Sequence, residues 1–575
     1  MLKSLWKYIK KHPVIYTLSA VLAMLSGLLG LVPNYFIQRI IDELLNKTLT
    51  YEQLNRYMWV FGGVIVLMYI INILWQRWVF TQANDYKQKI KNRAFRRILT
   101  FRQPFFHLYR SGDILTRLSS DIDAIGDAMS YGVLLIVSDA IWMVMIFAYL
   151  FVMISWQLTL LSMIPMVLFG VGVYFVGRMV DERYTASRDA VAQLNHEVLE
   201  VVEGIRVMRA YGQAHLEQAR FQDKTDKVLT TANHQYLANA LYSPMVRFCS
   251  SAAIIISIGM GSRLVDQGLI SIGQLVAFQI YLGMFLYTVW GISDIFAVYQ
   301  TGQVSYQKIQ ELLNTPNPVT AIEPYRHLNT IETIQFDNYT FSYDTDKDSI
   351  LKEIQLTIKK GQTLGIVGKT GSGKTSLIMQ LLRQYPVSDQ GQLLINGYPI
   401  TDYPIEEIES LIAYVPQDHL LFSKSVQDNI YFGNRHASQE DYQRSIEAAS
   451  FSQDIHRMAQ GDQTLIGEKG VSISGGQKQR ISLSRAFMKK ADVLILDDSL
   501  SAVDAKTERE IIDQIQELRK DRTNIIITHR LSAVMHADDI IVIEDGRIIQ
   551  EGTAQALLKE DGWFKQQYHQ QRLEG

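Results

Sequence analysis

The chain has 575 residues, too many for one hydrophobic core and enough for two or three domains. Apolar residues make up 48% of it and mean hydropathy is +0.02, more apolar than an ordinary soluble enzyme. A net charge of −2, from 56 Lys and Arg against 58 Asp and Glu, argues against a nucleic-acid partner, and the single cysteine excludes an internal disulfide or a cysteine-based metal cluster.

Lys3, Lys7, Lys10 and Lys11 precede the first apolar stretch, a pattern shared with secretion signals. The stretch outruns such a signal and others follow, so residues 1–13 are expected to form a basic cytoplasmic elbow before an uncleaved first span. Six runs are long enough to cross a bilayer as helix, at about 14–39, 57–80, 130–154, 157–180, 240–264 and 272–298. They define an all-α membrane domain over 14–300. Cys249, in the fifth run, reads as a small buried hydrophobe. Lys and Arg concentrate from Lys87 to Arg117 and from Arg183 to Lys227, whereas the alternate gaps are short and weakly charged. Both basic segments and both termini are therefore expected on the cytoplasmic side. Helical patterning continues through both segments, which are too long for plain loops. The spans are expected to extend as cytoplasmic stalks with tips near His107–Asp113 and Arg209–Ala214, where Gly112 and Gly212 interrupt the pattern. Residues 301–329 read as a linker.

From 330 to 575 the pattern is that of an α/β domain. A short apolar strand from Thr363 leads into Gly368-Lys369-Thr370-Gly371-Ser372-Gly373-Lys374-Thr375, with a helix expected to start near Ser376. Glycines at this spacing let backbone N–H groups wrap phosphates at a helix N-terminus, whose dipole favours anions. Lys374 would neutralise the outer phosphates and Thr375 would hold Mg²⁺. A second strand, Val493 to Asp497, ends in a carboxylate suited to Mg²⁺. The two motifs together define a P-loop NTPase.

Ser474-Gly475-Gly476-Gln477, with Ile473 before it and Lys478-Gln479-Arg480 after it, closely resembles the signature of ABC (ATP-binding cassette) proteins. The other family marks follow in order: Tyr343, Gln417 in Tyr414-Val-Pro-Gln, Ser501-Ala-Val-Asp504, and His529 in Ile527-Thr-His-Arg530. Gly467-Glu468-Lys469-Gly470 looks like the exporter-specific loop that touches a partner's stalks. The resemblance covers the whole chain, six spans then one cassette. It implies a six-helix membrane domain with long cytoplasmic extensions plus an α/β P-loop cassette, with ATP and Mg²⁺ as cofactors. Tyr343 would stack on adenine, residues 368–376 would hold phosphates, and Thr375, Gln417 and Asp497 would surround the metal. His529 and Gln417 would act with residue 498 in hydrolysis. Ser474–Gln477 and Asp504 would complete a partner's site, because each ATP lies between two cassettes.

One position departs from the family. The residue after the metal carboxylate is normally a glutamate that polarises the attacking water, and here it is Asp498. The side chain is one methylene shorter, and misplacement by about 1 Å can cost on the order of a hundredfold in rate. The chain therefore resembles the degenerate-site subunit of bacterial heterodimeric multidrug exporters, whose partner carries Glu after its own metal Asp. A homodimeric exporter, a lipid or lipopeptide flippase and an ATP-gated regulatory or channel-like protein are the alternatives. The implied setting is a bacterial plasma membrane. Ionisable and aromatic residues in the spans, Asp139, Trp142, Arg247, Tyr281, Phe285, Trp290 and Asp294, are candidates to line a cavity for a hydrophobic small molecule.

Overall fold

The computed structural model describes residues 1–319, 325–343, 348–467, 473–501 and 503–574, without the side chains of Leu2, Val137, 289–294, Phe296 and Glu574. The chain divides into two compact units, one of Met1–Arg96 with Gly112–Asn314 and one of Arg97–Ser111 with Thr315–Gly575.

The first unit is helical. A short helix α1 (Leu2–Ile9) precedes α2 (Pro13–Leu45) and α3 (Tyr51–Ile98). After the short α4 (Gln103–Leu108) of the second unit, a rod runs through α5 (Ser111–Thr116), α6 (Ile122–Leu135) and α7 (Ile141–Tyr149). Its segments are joined by π-helical turns at Arg117–Asp121 and Ile136–Ala140, and a third, Leu150–Ile154, ends the rod. Then come α8 (Trp156–Glu203), α9 (Ile205–Tyr211), α10 (Ala214–Ala240), α11 (Tyr242–Asp266) and α12 (Ile272–Asn314). Among the described residues, five rods are long and apolar enough to cross a membrane, and α12 adds a shorter apolar stretch, Ile272–Thr288.

Length alone shows that these rods exceed a bilayer. Helices α3 and α8 have 48 residues each. At 1.5 Å per residue that is about 70 Å, more than twice a hydrocarbon core of about 30 Å. The one-residue break at Ser155, whose extended backbone and side chain cap α8, turns the chain back on itself. The second tip closes on Gly212, held at φ 65. The first does not close on Gly112, which lies inside α5. Pro104 in the first turn of α4 sets that tip instead, because a proline lacks the N–H a continuing helix would need. At the other end α12 continues to Asn314, so helix occupies the first half of the expected linker.

Several residues expected to line a membrane cavity serve packing instead. Tyr281 is fully buried among Leu31, Ile146, Leu150 and Phe278, and its hydroxyl donates to the Leu31 carbonyl at 2.5 Å. Phe285 belongs to the same cluster. The Trp142 ring lies over Gly30, where an added Cβ would stand 2.2 Å from the indole. These runs are apolar all round, so hydropathy cannot separate a cavity face from a packing face. Asp139 is half-buried in a π turn and accepts from Ser138 at 3.1 Å, and Arg247 is exposed on α11. The side chains of Trp290 and Asp294 lie outside the described residues.

The second unit carries ten strands among its described residues. A six-stranded sheet runs β10 (Arg547–Gly552), β9 (Asp539–Glu544), β3 (Thr363–Val367), β8 (Thr523–Ile527), β7 (Val493–Asp497), β6 (Ile412–Val415). All its pairings are parallel except that of β10 with β9. A second, antiparallel sheet joins β2 (Leu351–Lys359), β1 (Thr333–Phe341), β4 (Gln392–Ile395) and β5 (Tyr398–Pro399). The main sheet is covered on both faces. Leu494, Leu496, Ile526 and Val542 face a helical layer holding Ile481 and Ile511, while Val493, Ile495, Ile525 and Ile541 face Phe336 and Leu356 of the small sheet. That is why these strands read as unbroken apolar runs.

The Gly30 contact makes a direct stability test. Gly30→Leu is expected to force the indole off its site at a cost of about 1–3 kcal/mol, lowering the thermal unfolding midpoint of the detergent-solubilised chain. Adding Trp142→Ala should recover most of that loss, since the two changes share one space. A Gly30→Leu chain as stable as the parent would count against the contact.

Candidate functional site

Three neighbouring strands end on the same edge of the main sheet. Strand β3 runs out at Val367 into the glycine loop and the Lys374–Leu381 helix. Strand β7 ends at Asp497, which pairs with Ile527 of β8, so Asp498 and His529 follow side by side. Crevices at the carboxyl ends of such strands are where open α/β sheets bind ligands. Here a cavity of about 340 Å³ is lined by Tyr343, residues 370–376, Gln417, Asp497, Asp498 and His529.

The loop shape depends on glycine. Gly368 sits at φ 147, where a Cβ would lie 2.1 Å from the Ile543 carbonyl oxygen, and Gly373 at φ 103 caps the helix. That helix begins at Lys374, two residues before the expected start. The Lys374 ammonium donates across the loop to the carbonyls of Gly368 (2.8 Å) and Lys369 (2.7 Å).

The charges in this cavity are held against desolvation. Asp497 is 2% exposed. It accepts from Thr375 at 3.4 Å and from Tyr414 at 3.3 Å. Burial pushes its carboxyl pKa up, while these hydrogen bonds and the Lys374 charge pull it down. Burial likewise pushes the Lys374 ammonium down, opposed by Asp497 and Asp498. His529 is also pushed down, by burial first and then by Lys374, which favours a neutral imidazole. A hydroxyl beside a buried carboxylate fits a hard divalent cation such as Mg²⁺. A lysine and free N–H groups at a helix start fit phosphate.

Asp498 has a left-handed backbone, φ 46, and its N–H donates to the Ile527 carbonyl at 2.8 Å. Aspartate is among the few residues that take this conformation readily. Tyr343 donates to or accepts from Ser376 at 2.7 Å, and its ring meets Tyr385 edge-on at 4.8 Å.

Other expected site residues lie elsewhere. The Lys369 side chain leaves the cavity and pairs with Glu544 at 2.5 Å, because its neighbour Lys374 already occupies the loop interior. Ser474 and Gln477 form a capping box on the Gly475–Met488 helix, and Asp504 caps the Ala505–Leu518 helix. Neither these residues nor Gly475 and Gly476 line this chain's own cavity. Glu468, Lys469 and Gly470 of the exporter-type loop, and Ala502, lie outside the described residues.

The geometry also adds residues that spacing did not reveal. Tyr414 reaches Asp497, a contact its place three residues before Gln417 hinted at but did not specify. His107 of α4 bonds the Tyr385 hydroxyl at 3.0 Å, and Arg102 pairs with Glu409. A chain of contacts thus joins α4 through Tyr385 and Tyr343 to Ser376.

The two lysines should separate cleanly. Lys374→Ala is expected to weaken ATP binding about a hundredfold through lost charge-assisted hydrogen bonds, and Lys369→Ala to change it by less than about twofold. Titration with a fluorescent ATP analogue reads both, and equal losses would put Lys369 back among the phosphate ligands.

Comparison with known proteins agrees with this architecture. Residues 16–289 match the family model "ABC transporter transmembrane region" and 351–501 match "ABC transporter". The chain is 38% identical over 573 residues to the "Probable multidrug resistance ABC transporter ATP-binding/permease protein YheI" of Bacillus subtilis, covering 100% of this chain and 98% of the relative. It is 31% identical to the "Multidrug resistance-like ATP-binding protein MdlA" of Escherichia coli, covering 97% and 94%. In fold it is similar to a bacterial Atm1-family ABC exporter solved with ATP bound, with a TM-score of 0.79 at 21% identity, covering 98% of each chain. The chain belongs to the ABC transporter family, as a half-transporter of the exporter fold in which one membrane domain precedes one ATP-binding cassette.

Proposed function

We propose that this chain is the slow-site half of a two-chain, ATP-driven exporter that moves hydrophobic or amphipathic compounds out of a bacterial cell. The observation that carries this reading is Asp498. It lines the cavity beside Asp497 and His529, at the position where the family places glutamate. A carboxylate one methylene short leaves the attacking water misplaced, and about 1 Å is worth on the order of a hundredfold in rate. The fixed, left-handed backbone at Asp498 gives the side chain little freedom to make up the difference.

In this reading Lys374 and the loop N–H groups of 370–376 hold the phosphates, Tyr343 stacks on adenine, and Thr375, Gln417 and Asp497 surround Mg²⁺, which supplies charge neutralisation of the phosphates. The neutral His529 donates to the outermost phosphate. Ser474–Gln477 and Asp504 serve the partner's ATP. A capping box orders Ser474–Gln477, and the residues this chain would lend to its partner, Ser474–Gln477 and Asp504, are the ones the family carries there. The partner is a second half-transporter with Glu after its metal Asp. The names of the relatives support drug-like substrates, and Asp139 and Arg247 remain candidates to meet them. The basic stalks support a cytoplasmic side for both termini and the cassette, with the spans in the plasma membrane.

ATPase measurements test the asymmetry. The chain alone should be nearly inactive. Activity should appear with the partner, vanish when the partner's Glu becomes Gln, and rise when Asp498→Glu is introduced into the pair. A homodimer of this chain turning over at about 1–10 s⁻¹, an ordinary transporter rate, would make Asp498 a competent catalytic residue and end the proposal.

A further inference from the structure

A second cavity lies away from the nucleotide site. It measures about 470 Å³ and lies in the membrane unit, between α1, α6 and α12. Its wall is apolar, with Leu5, Trp6 and Ile9 from one side and Val133, Ile136 and Ile295 from the other, and Lys3 and Met1, which bears the terminal ammonium, also line it. Neither the family motifs nor the ATP chemistry uses it. We propose that this cavity holds an acyl chain of an anionic phospholipid, with Lys3 and Lys10 at its mouth taking the headgroup phosphate.

The eight residues of α1 cannot span a bilayer, and this helix stops just before Pro13, where the first long apolar helix begins. It is two-faced. Leu5 and Tyr8 are buried against Tyr86, Ile122 and Met129, while Lys3, Trp6, Lys7 and Lys10 are exposed. A short helix with buried apolar residues, exposed lysines and an exposed tryptophan lies along a membrane surface at the depth of the headgroups. The cavity opens under it. Its far wall, Val133 and Ile136, belongs to the apolar run that enters the hydrocarbon, so the mouth sits at headgroup level and the interior at acyl-chain depth.

Charge decides the occupant. An apolar cavity gives water few partners and does not hold it. A neutral apolar molecule would satisfy the wall but leave the lysines unused. Lys3 lines the mouth, and the Lys10 ammonium stands 5.6 Å from the centre of the Trp6 ring, itself part of the wall. Two ammonium groups beside an acyl-sized slot complement a phosphate joined to a chain. A lipid seated there would wedge between α1 and α12, the helix that leads to the cassette.

Trp6 supplies the readout. The full chain is placed in phosphatidylcholine vesicles containing either phosphatidylglycerol or phosphatidylcholine with brominated acyl chains. The Trp6 signal is the difference between the parent and Trp6→Phe. Brominated phosphatidylglycerol is expected to quench it more efficiently than brominated phosphatidylcholine, by about fivefold for each lysine engaged. Lys3→Glu, an exposed change that leaves packing intact, should remove most of this preference. Val133→Phe, which fills the cavity, should reduce quenching by both lipids. Equal quenching by the two lipids, or a preference that survives Lys3→Glu, overturns the proposal. Relief of quenching by ethidium, with no preference between lipids, assigns the cavity to a transported cation and overturns it as well.

Discussion

Parallel pairing of β3 with β8, and of β8 with β7, is the constraint on which the cassette depends. It brings the glycine loop, the Asp497–Asp498 pair and His529 to one edge, although they are up to 161 residues apart in sequence. A slip of one residue in β7 would turn Asp497 to the opposite face and exchange the two sets of core side chains. Burial on both faces prevents this. The helical layer and the small antiparallel sheet each require their own alternate residues of β7 and β8, and both sets are apolar. Precise placement of charged groups is thus secured by apolar packing some distance from them.

The membrane unit solves a different problem, that of length. Rods of 48 residues carry a helical backbone through the hydrocarbon and well past it, pairing N–H with C=O inside the helix except where Pro165 of α8 has no N–H to donate. Where a rod is interrupted, the chain gains a side chain for a specific contact. At α4 the contacts are Arg102 with Glu409 and His107 with Tyr385. Since Tyr385 packs on Tyr343, and Tyr343 bonds the helix that follows the glycine loop, a shift of α4 and a shift of the nucleotide platform bear on the same two rings.

The sequence exposes most of this because the two halves use opposite codes. Six long apolar runs can only be membrane helices, and a strand followed by Gly-x4-Gly-Lys-Thr has few other meanings. What stayed hidden depends on direction rather than on residue type. Lys369 and Lys374 flank the same loop, yet one ammonium crosses the loop to the Gly368 and Lys369 carbonyls and the other pairs with Glu544, a difference that residue type does not announce. Tyr281 and Trp142 look like cavity aromatics until the Leu31 carbonyl and the space over Gly30 are seen to hold them. The π turns around Asp139 left no mark in the hydropathy pattern, since one extra residue in a helical turn changes no composition. Tyr385 had no motif to announce it, because its partners, His107 of α4 and Tyr343 just after β1, are distant in sequence.

In the proposed asymmetric pair, Asp498 is the one altered catalytic position. Its backbone is bonded to Ile527 and its neighbours Asp497 and Ser499 are buried, so the local fold does not depend on the length of its side chain. Aspartate suits the left-handed conformation there at least as well as glutamate would. Loss of one methylene would therefore cost the fold almost nothing, while in the proposed reading the reaction, which needs a water placed to a fraction of an ångström, would bear the effect. The signature segment, held by its own capping box, is untouched by the same change. Stability and catalysis are therefore expected to separate at this position, which is what the proposed slow-site role requires.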